Sequence, residues 1–409
     1  MIKNIKIALI ILLTATLFQL AFTSKPQGAL SYYLSAAQNF SIFEQQLCIN
    51  YNDVSAYEET LNKSNQRITK DSLGYVFRNS TCVKDESKQA RGVGYAVSNG
   101  YLLLLKIAQK VKPDLGGLYL AFFISIVTHT LTSLLLINNS ENSTHKNLII
   151  ILYAINPIIL YYTTFPYYYT FLSLAAAVTV WYKGAKKNIT NQIIFLSAWT
   201  WLVAVRPTLL FITLIFVIVN IRSKRLGMAF ALLIAPLFFS NFIGVKNGIP
   251  WHSMVVGQSA WSIPWQKVSD ELATDEIAKR LGMGKQSEPI VLEIGKVHYL
   301  SVAEKIWTEK WRSEPISQII KPILNTISGF SYGYVNRSEI LTWSSIPIGA
   351  IILCVLIISK RYWLIGIVLF SQISISPYFP LVTPYNLFAI TLLLFEICRL
   401  LGNHLKKRN

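Results

Sequence analysis

Tyr95-Ala96-Val97-Ser98-Asn99-Gly100-Tyr101-Leu102-Leu103-Leu104-Leu105-Lys106-Ile107-Ala108-Gln109-Lys110-Val111 is the stretch whose reading sets the topology of the chain. Counted as a membrane span, it would flip every later segment and place the downstream basic clusters outside. Its continuous apolar run is far shorter than the ~20 residues that cross ~30 Å of hydrocarbon. Lys106 and Lys110 interrupt it, and Lys112 follows. The sequence therefore predicts an amphipathic helix lying at the outer membrane interface. A similar helix is predicted over 29–43, where Leu30, Tyr33, Leu34, Ala37 and Ile42 fall near one face.

Working outward, 53% of the 409 residues are hydrophobic and only 14% are charged. A soluble domain carries about 25% charge, so this chain lacks the polar surface to cover itself in water. Its apolar residues come in blocks close to the length of a membrane crossing. The predicted class is all-α: a polytopic membrane protein with about ten transmembrane helices and two large extracytoplasmic loops carrying interfacial helices. The spans are expected near 5–23, 117–137, 147–165, 167–182, 192–205, 207–221, 226–244, 342–359, 362–379 and 382–401. The organisation is then a first span within 1–23, a first loop over 24–116, spans two to seven over 117–244, a second loop over 245–341, and spans eight to ten with a basic tail over 342–409. No small-x-small cleavage site follows Ile7–Phe22, so the first apolar run reads as an uncleaved span.

The net charge of +18 raises a nucleic-acid reading, which its distribution excludes. Residues 24–94 hold eight Lys/Arg against seven Asp/Glu, and 244–340 hold eleven against ten. The excess lies in short connections and tails: Lys183, Lys186 and Lys187; Arg222, Lys224 and Arg225; Lys360 and Arg361; Lys406, Lys407 and Arg408. This is the positive-inside pattern. It predicts integration in the plasma (inner) membrane with both termini cytoplasmic and both large loops periplasmic or extracellular. Pro157, Pro166, Pro207, Pro236, Pro377, Pro380 and Pro384 mark span ends, most toward the outer side, and together suggest an irregular, cavity-lining outer half. The second loop reads as soluble and partly helical, with helices over 270–281 and 301–312 and with Pro315 and Pro322 punctuating the return to the membrane.

Arg206 is the sharpest single residue. Val205-Arg206-Pro207 sets a guanidinium in an apolar hairpin, where an arginine costs several kcal/mol unless it pairs or meets water. Its planar fork suits a phosphate or carboxylate, while snorkelling to headgroups would need no function. Glu396 lies close to Arg399 and reads as one half of a structural ion pair; His129 reads as a satisfied core histidine. Cys48 and Cys82 both fall in the first loop, and a disulfide between them would close about 35 residues, worth ~3–4 kcal/mol. Metal-ligand spacings, Gly-rich phosphate loops and GxSxG are all missing from the sequence. The first loop holds the acids that could serve as a general base. Asp71 and Asp53 each stand four residues before a tyrosine, on one face of any helix there, and each is also readable as a solvated surface charge.

The layout resembles the GT-C superfamily of polytopic membrane glycosyltransferases, which use a polyprenyl-phosphate-linked sugar. Arg91-Gly92-Val93-Gly94-Tyr95 with 101–106 resembles the Gly-Tyr element that opens a second interfacial helix. Asn156-Pro157 with the Tyr-rich turn over 161–169 is similar to a span junction of that family, and Val205-Arg206-Pro207 to its Arg-Pro hairpin. Ala303–Trp311 followed by Glu314-Pro315 looks like its outer helix and proline. Ala29 and Leu30 stand where the family carries its acid, which moves that role to Asp71 first and Asp53 second. The resemblance implies an inverting-type transferase acting on a surface glycan or lipid acceptor, with Arg206 and Arg91 holding the donor phosphate. It implies no certain cofactor: a polyprenyl-phosphate sugar is a substrate, and a divalent metal stays open. The expected partners are membrane lipid, the lipid-linked donor and the glycan or lipid acceptor, with no nucleic acid. An O-antigen-type polymerase or ligase, a transporter or flippase, and a non-catalytic membrane assembly protein stand as alternatives.

Overall fold

In a computed structural model of the chain, the residues described are 2–21, 33–37, 54, 56–57, 59–60, 99–111, 117–165, 167–186, 188–242, 250–268, 270–283, 296–336, 338–373, 375–377, 379–380 and 382–408. Among them the structure is helical, with one isolated bridge between Tyr334 and Val382 as its only extended pairing. They form two compact units, one within Met1–Cys82, Ser98–Val245 and Leu387–Asn409, the other within Lys246–Asn386.

The first unit contains α1 (Ile2–Ala21), α2 (Asn99–Val111), α3 (Gly117–Asn138), α4 (Ser143–Ile149), α5 (Pro157–Thr163), α6 (Tyr169–Gly184), α7 (Ile189–Val205), α8 (Leu210–Arg222), α9 (Leu226–Phe242) and α16 (Leu387–Arg408). Helix α6 is its centre. It is buried nearly all round, as expected of a helix without a polar face, and it packs against α3, α7 and α16. The Thr391 and Ser173 hydroxyls, 3.0 Å apart, tie α16 to α6. Outer helices turn large apolar side chains outward, among them Leu13 and Leu17 on α1 and Phe230 and Phe238 on α9.

The segment expected as one span over 147–165 is broken. Helix α4 continues as a wider turn over Ile150–Ala154, and the chain bends by 60° before α5. The cause is local. Pro157 has no N–H to give, and the Asn156 side chain accepts from the amides of Ile158 and Ile159, which starts a new helix there. The Ala154 carbonyl, which the Ile158 amide would otherwise meet, lies 3.0 Å from His129 Nε2, while His129 Nδ1 lies 2.7 Å from Thr163 Oγ1. The carbonyl can only accept, so Nε2–H donates to it, while Nδ1 faces the Thr163 hydroxyl, whose single proton also lies within reach of Ile159 O at 2.8 Å. His129 is the core histidine expected, and its place explains why a buried imidazole is retained.

The second unit contains α10 (Pro250–Val256), α11 (Asp270–Arg280), α12 (Lys296–Ser313), α13 (Pro315–Ser328), α14 (Glu339–Ile358) and α15 (Tyr362–Gln372). Trp261, Ile277, Tyr299, Ala303, Ile306 and Tyr334 form the heart of its core. Helices α11 and α12 realise the two helices expected in the second loop. Gly349 of α14 lies so close to α13 that an added Cβ would fall 2.0 Å from the Ile327 carbonyl oxygen.

Among the described residues three helices are long and apolar enough to cross a membrane: Leu118–Asn138, Glu339–Ile358 and Thr383–Lys406. The bent pair of α4 and α5 would make a fourth. Five other apolar helices among the described residues run to 17 residues or fewer, shorter than that criterion. The expected span at 362–379 ends as α15 at Gln372, where a turn precedes Pro377. Pro236, expected at a helix end, lies inside α9.

Candidate functional site

Asp71, Asp53, Arg91, Cys48 and Cys82 lie outside the described residues, so the site can be built only from the side that holds Arg206. Helix α7 ends because Pro207 follows Arg206 and fixes its neighbour in an extended conformation (φ −140°, ψ 96°). The Arg206 amide still donates to Leu202 O at 2.9 Å, and its carbonyl accepts from the Leu209 amide at 3.0 Å. Both strands of the hairpin's backbone are thus pinned at the arginine. Below it, Trp199 Nε1 donates to Thr213 Oγ1 at 2.9 Å, joining α7 to α8. Phe195 stacks on Tyr182 at 3.7 Å between ring centroids, and the Tyr182 hydroxyl donates to Asn220 Oδ1 at 3.2 Å.

The Arg206 side chain is partly buried and points into aromatic rings. Its Nη1 donates to the Tyr168 hydroxyl at 3.0 Å, and its guanidinium carbon lies 5.1 Å from the centroid of the same ring. Tyr168 therefore acts as hydrogen-bond acceptor and cation–π partner at once. Tyr167 and Tyr169 flank it at 4.3 and 4.9 Å, and Tyr33 lies 5.2 Å from Tyr167 and 5.8 Å from Tyr101. Over 33–37 the chain is helical and wholly buried, so part of the predicted 29–43 helix joins this cluster.

Helix α2 completes one side. It has the amphipathic character predicted, and its 13 residues rise about 20 Å, well short of a crossing. Tyr101, Leu102 and Leu105 are turned inward and buried, with α2 packed on α3 and α7, while Ile107 and Val111 toward its end stay exposed. The docking depends on Gly100, whose added Cβ would stand 2.7 Å from Val205 N and 2.9 Å from Ala204 C. The Tyr101 hydroxyl is buried with no hydrogen-bond partner among the described residues. Burial first, and the neighbouring Tyr33 second, push that phenol well above its ordinary range, so it stays a neutral donor.

A second polar cluster in the same unit gathers at the other arginine. Arg399 holds Glu396 through Nη2 at 2.5 Å and Nε at 3.0 Å, and Glu141 through Nη1 at 3.1 Å. Asn403 Nδ2 donates to the other Glu141 oxygen at 2.9 Å. The expected Glu396–Arg399 pair is present, and Glu141 is the partner that sequence proximity could not supply. Among the described residues no group of three His, Cys, Asp or Glu side chains could hold a metal. Sequence reading also passed over Gly100 and Tyr168. Tyr168 sits in a run of tyrosines where no single one stands out, and Gly100 is marked only by its position before an apolar run.

No family model, curated protein or solved structure matched the chain. What the geometry defines is an apolar helical protein with membrane-spanning character and one arginine presented among tyrosines.

Proposed function

We propose that the chain is an integral membrane glycosyltransferase of the GT-C kind, polytopic in the plasma (inner) membrane with both large loops on the extracytoplasmic face. It moves a sugar from a polyprenyl-phosphate donor to a surface glycan or lipid. The reading is supported most by Arg206. Its backbone is fixed at a Pro-ended hairpin, and its guanidinium is aimed by Tyr168 within a cluster of rings. A guanidinium held in an apolar setting matches a phosphate in shape and charge, and tyrosine rings suit the faces of a sugar.

In this reading the donor phosphate docks on Arg206, with Arg91 as its second cation. A loop carboxylate, Asp71 first and Asp53 second, takes the proton of the acceptor hydroxyl. The hydroxyl oxygen bonds to the anomeric carbon, the bond from that carbon to the phosphate oxygen breaks, and polyprenyl phosphate leaves with its charge met by arginine. The test compares, by mass spectrometry, surface glycans of cells carrying the wild-type gene, no gene, Arg206→Ala or Asp71→Asn. The expected outcome is a fixed mass loss of one sugar in the last three, with both variants present in the membrane at wild-type level. Identical glycans with and without the gene overturn the function. A loss on deletion with full activity in both variants overturns the residue roles alone.

A further inference from the structure

Helix α13 is amphipathic in the reverse sense. Gln318, Asn325 and Ser328 are buried, whereas Ile316, Ile319, Ile320 and Ile323 are 73%, 57%, 45% and 53% exposed. The four isoleucines follow the i, i+3, i+4, i+7 spacing of one helix face. The polar face is fully engaged. Asn325 accepts from Trp261 Nε1 at 2.7 Å and donates to Ser376 O at 2.8 Å. Gln318 Nε2 donates to Gln258 Oε1 at 2.8 Å, and Lys321 Nζ donates to Gln258 O at 2.6 Å. These bonds fix the rotation of the helix, so the isoleucine stripe cannot be turned inward without leaving buried polar groups unmet.

The neighbour of α13 says what covers that stripe. Helix α14 is one of the three long enough to cross a membrane, and only 22% of its apolar window is buried. Gly349, against which Ile327 packs, is the eleventh residue of the twenty in α14. The end of α13 therefore meets the middle of a span, not its rim. The chain then turns back over 329–334, and the turn is built for a place without water. Asn386 Nδ2 donates to Gly329 O at 2.9 Å and to Ser331 O at 3.1 Å, and Ser331 Oγ donates to Ser345 O at 2.9 Å. Non-helical backbone at membrane depth is tolerated when protein satisfies it in this way.

We infer that α13 is a re-entrant membrane helix: it enters the bilayer beside α14, turns at 329–334 and lays Ile316, Ile319, Ile320 and Ile323 against lipid acyl chains. This replaces the soluble character expected of the whole 245–341 loop. The inference rests on α14 being a span, and the test separates the two. The four native cysteines are replaced and single spin labels introduced by Ile316→Cys, Ile319→Cys, Ile323→Cys, Ile351→Cys on exposed α14, and Glu304→Cys on exposed α12. The full chain is placed in phosphatidylethanolamine/phosphatidylglycerol vesicles, and relaxation by oxygen is compared with relaxation by a water-soluble nickel chelate. The expected result is oxygen preference at the three α13 positions, rising from Ile316 to Ile323, with the reverse preference at Glu304. Nickel preference on α13 with oxygen preference at Ile351 overturns the re-entrant helix alone; nickel preference at both overturns the span as well. Shielding from both reagents on α13 means a protein cover and overturns the lipid contact. If the cysteine-free chain does not fold, a benzophenone side chain at position 319 of the wild-type background gives the same decision. A lipid adduct by mass is expected, and an adduct to protein alone overturns it.

Discussion

Helices α2 and α13 have nearly the same length and the same amphipathic spacing, yet they bury opposite faces. Helix α2 packs Tyr101, Leu102 and Leu105 inward and leaves Lys110 exposed together with Ile107 and Val111; α13 packs its amides and leaves four isoleucines exposed. Periodicity reports that a helix has two faces and is silent about which one is inside. That choice is made by the partners. A glycine at the start of α2 lets a helix backbone approach, and side-chain amides on α13 find indole and carbonyl groups to bond.

The contrast can be broken most sharply at Gly349. Gly349→Ala sets a methyl group against the Ile327 carbonyl and should cost about 3 kcal/mol, read as a lower melting temperature of the full chain in detergent. An unchanged melting curve would mean that α13 does not approach α14 so closely. The same swap on both helices comes next. Leu105→Gln removes a fully buried side chain and should cost about 2–3 kcal/mol, whereas Ile320→Gln in detergent should cost less than about 0.5 kcal/mol. Equal losses would erase the distinction. Gly100→Ala follows at about 1–2 kcal/mol, and it should also shift the fluorescence of Trp201 and its neighbours as α2 is lifted from α7.

The smallest effect lies away from both helices. The hydrogen bond from Asn403, and Arg399 behind it, hold the Glu141 carboxyl below its usual value of 4.5. A depressed carboxyl contributes stability above that value and loses it as the pH falls through the lower folded one. Wild-type protein should therefore lose more melting temperature below pH 4.5 than Glu141→Gln does. The side chain is largely exposed, so the difference is small.

Helix positions were readable where apolar length decides them: the expected 117–137 span is α3, and the two helices of the second loop begin or end close to their predicted bounds. The break in 147–165 was not, although Asn156-Pro157 stood in plain view, because capping is a property of side-chain geometry that an apolar count ignores. The span at 362–379 was drawn too long for a related reason. Ile375 is buried and Phe379 partly so, but the regular helix stops at Gln372 and Pro377 has no N–H with which to continue it. Of the site, Arg206 was legible from its rarity in an apolar run. Tyr168 was not, since only the fold selects one phenol among neighbours, and the re-entrant helix was hidden behind Pro315 and Pro322, which read as breakers.

The contact at Gly100 has a mechanical meaning. With no side chain on Gly100, the backbone of α2 rests directly on the Ala204–Val205 peptide of α7, one residue short of Arg206. At that point α2 meets main chain and not a side chain that could repack, so any added atom has to be absorbed by a shift of one helix against the other.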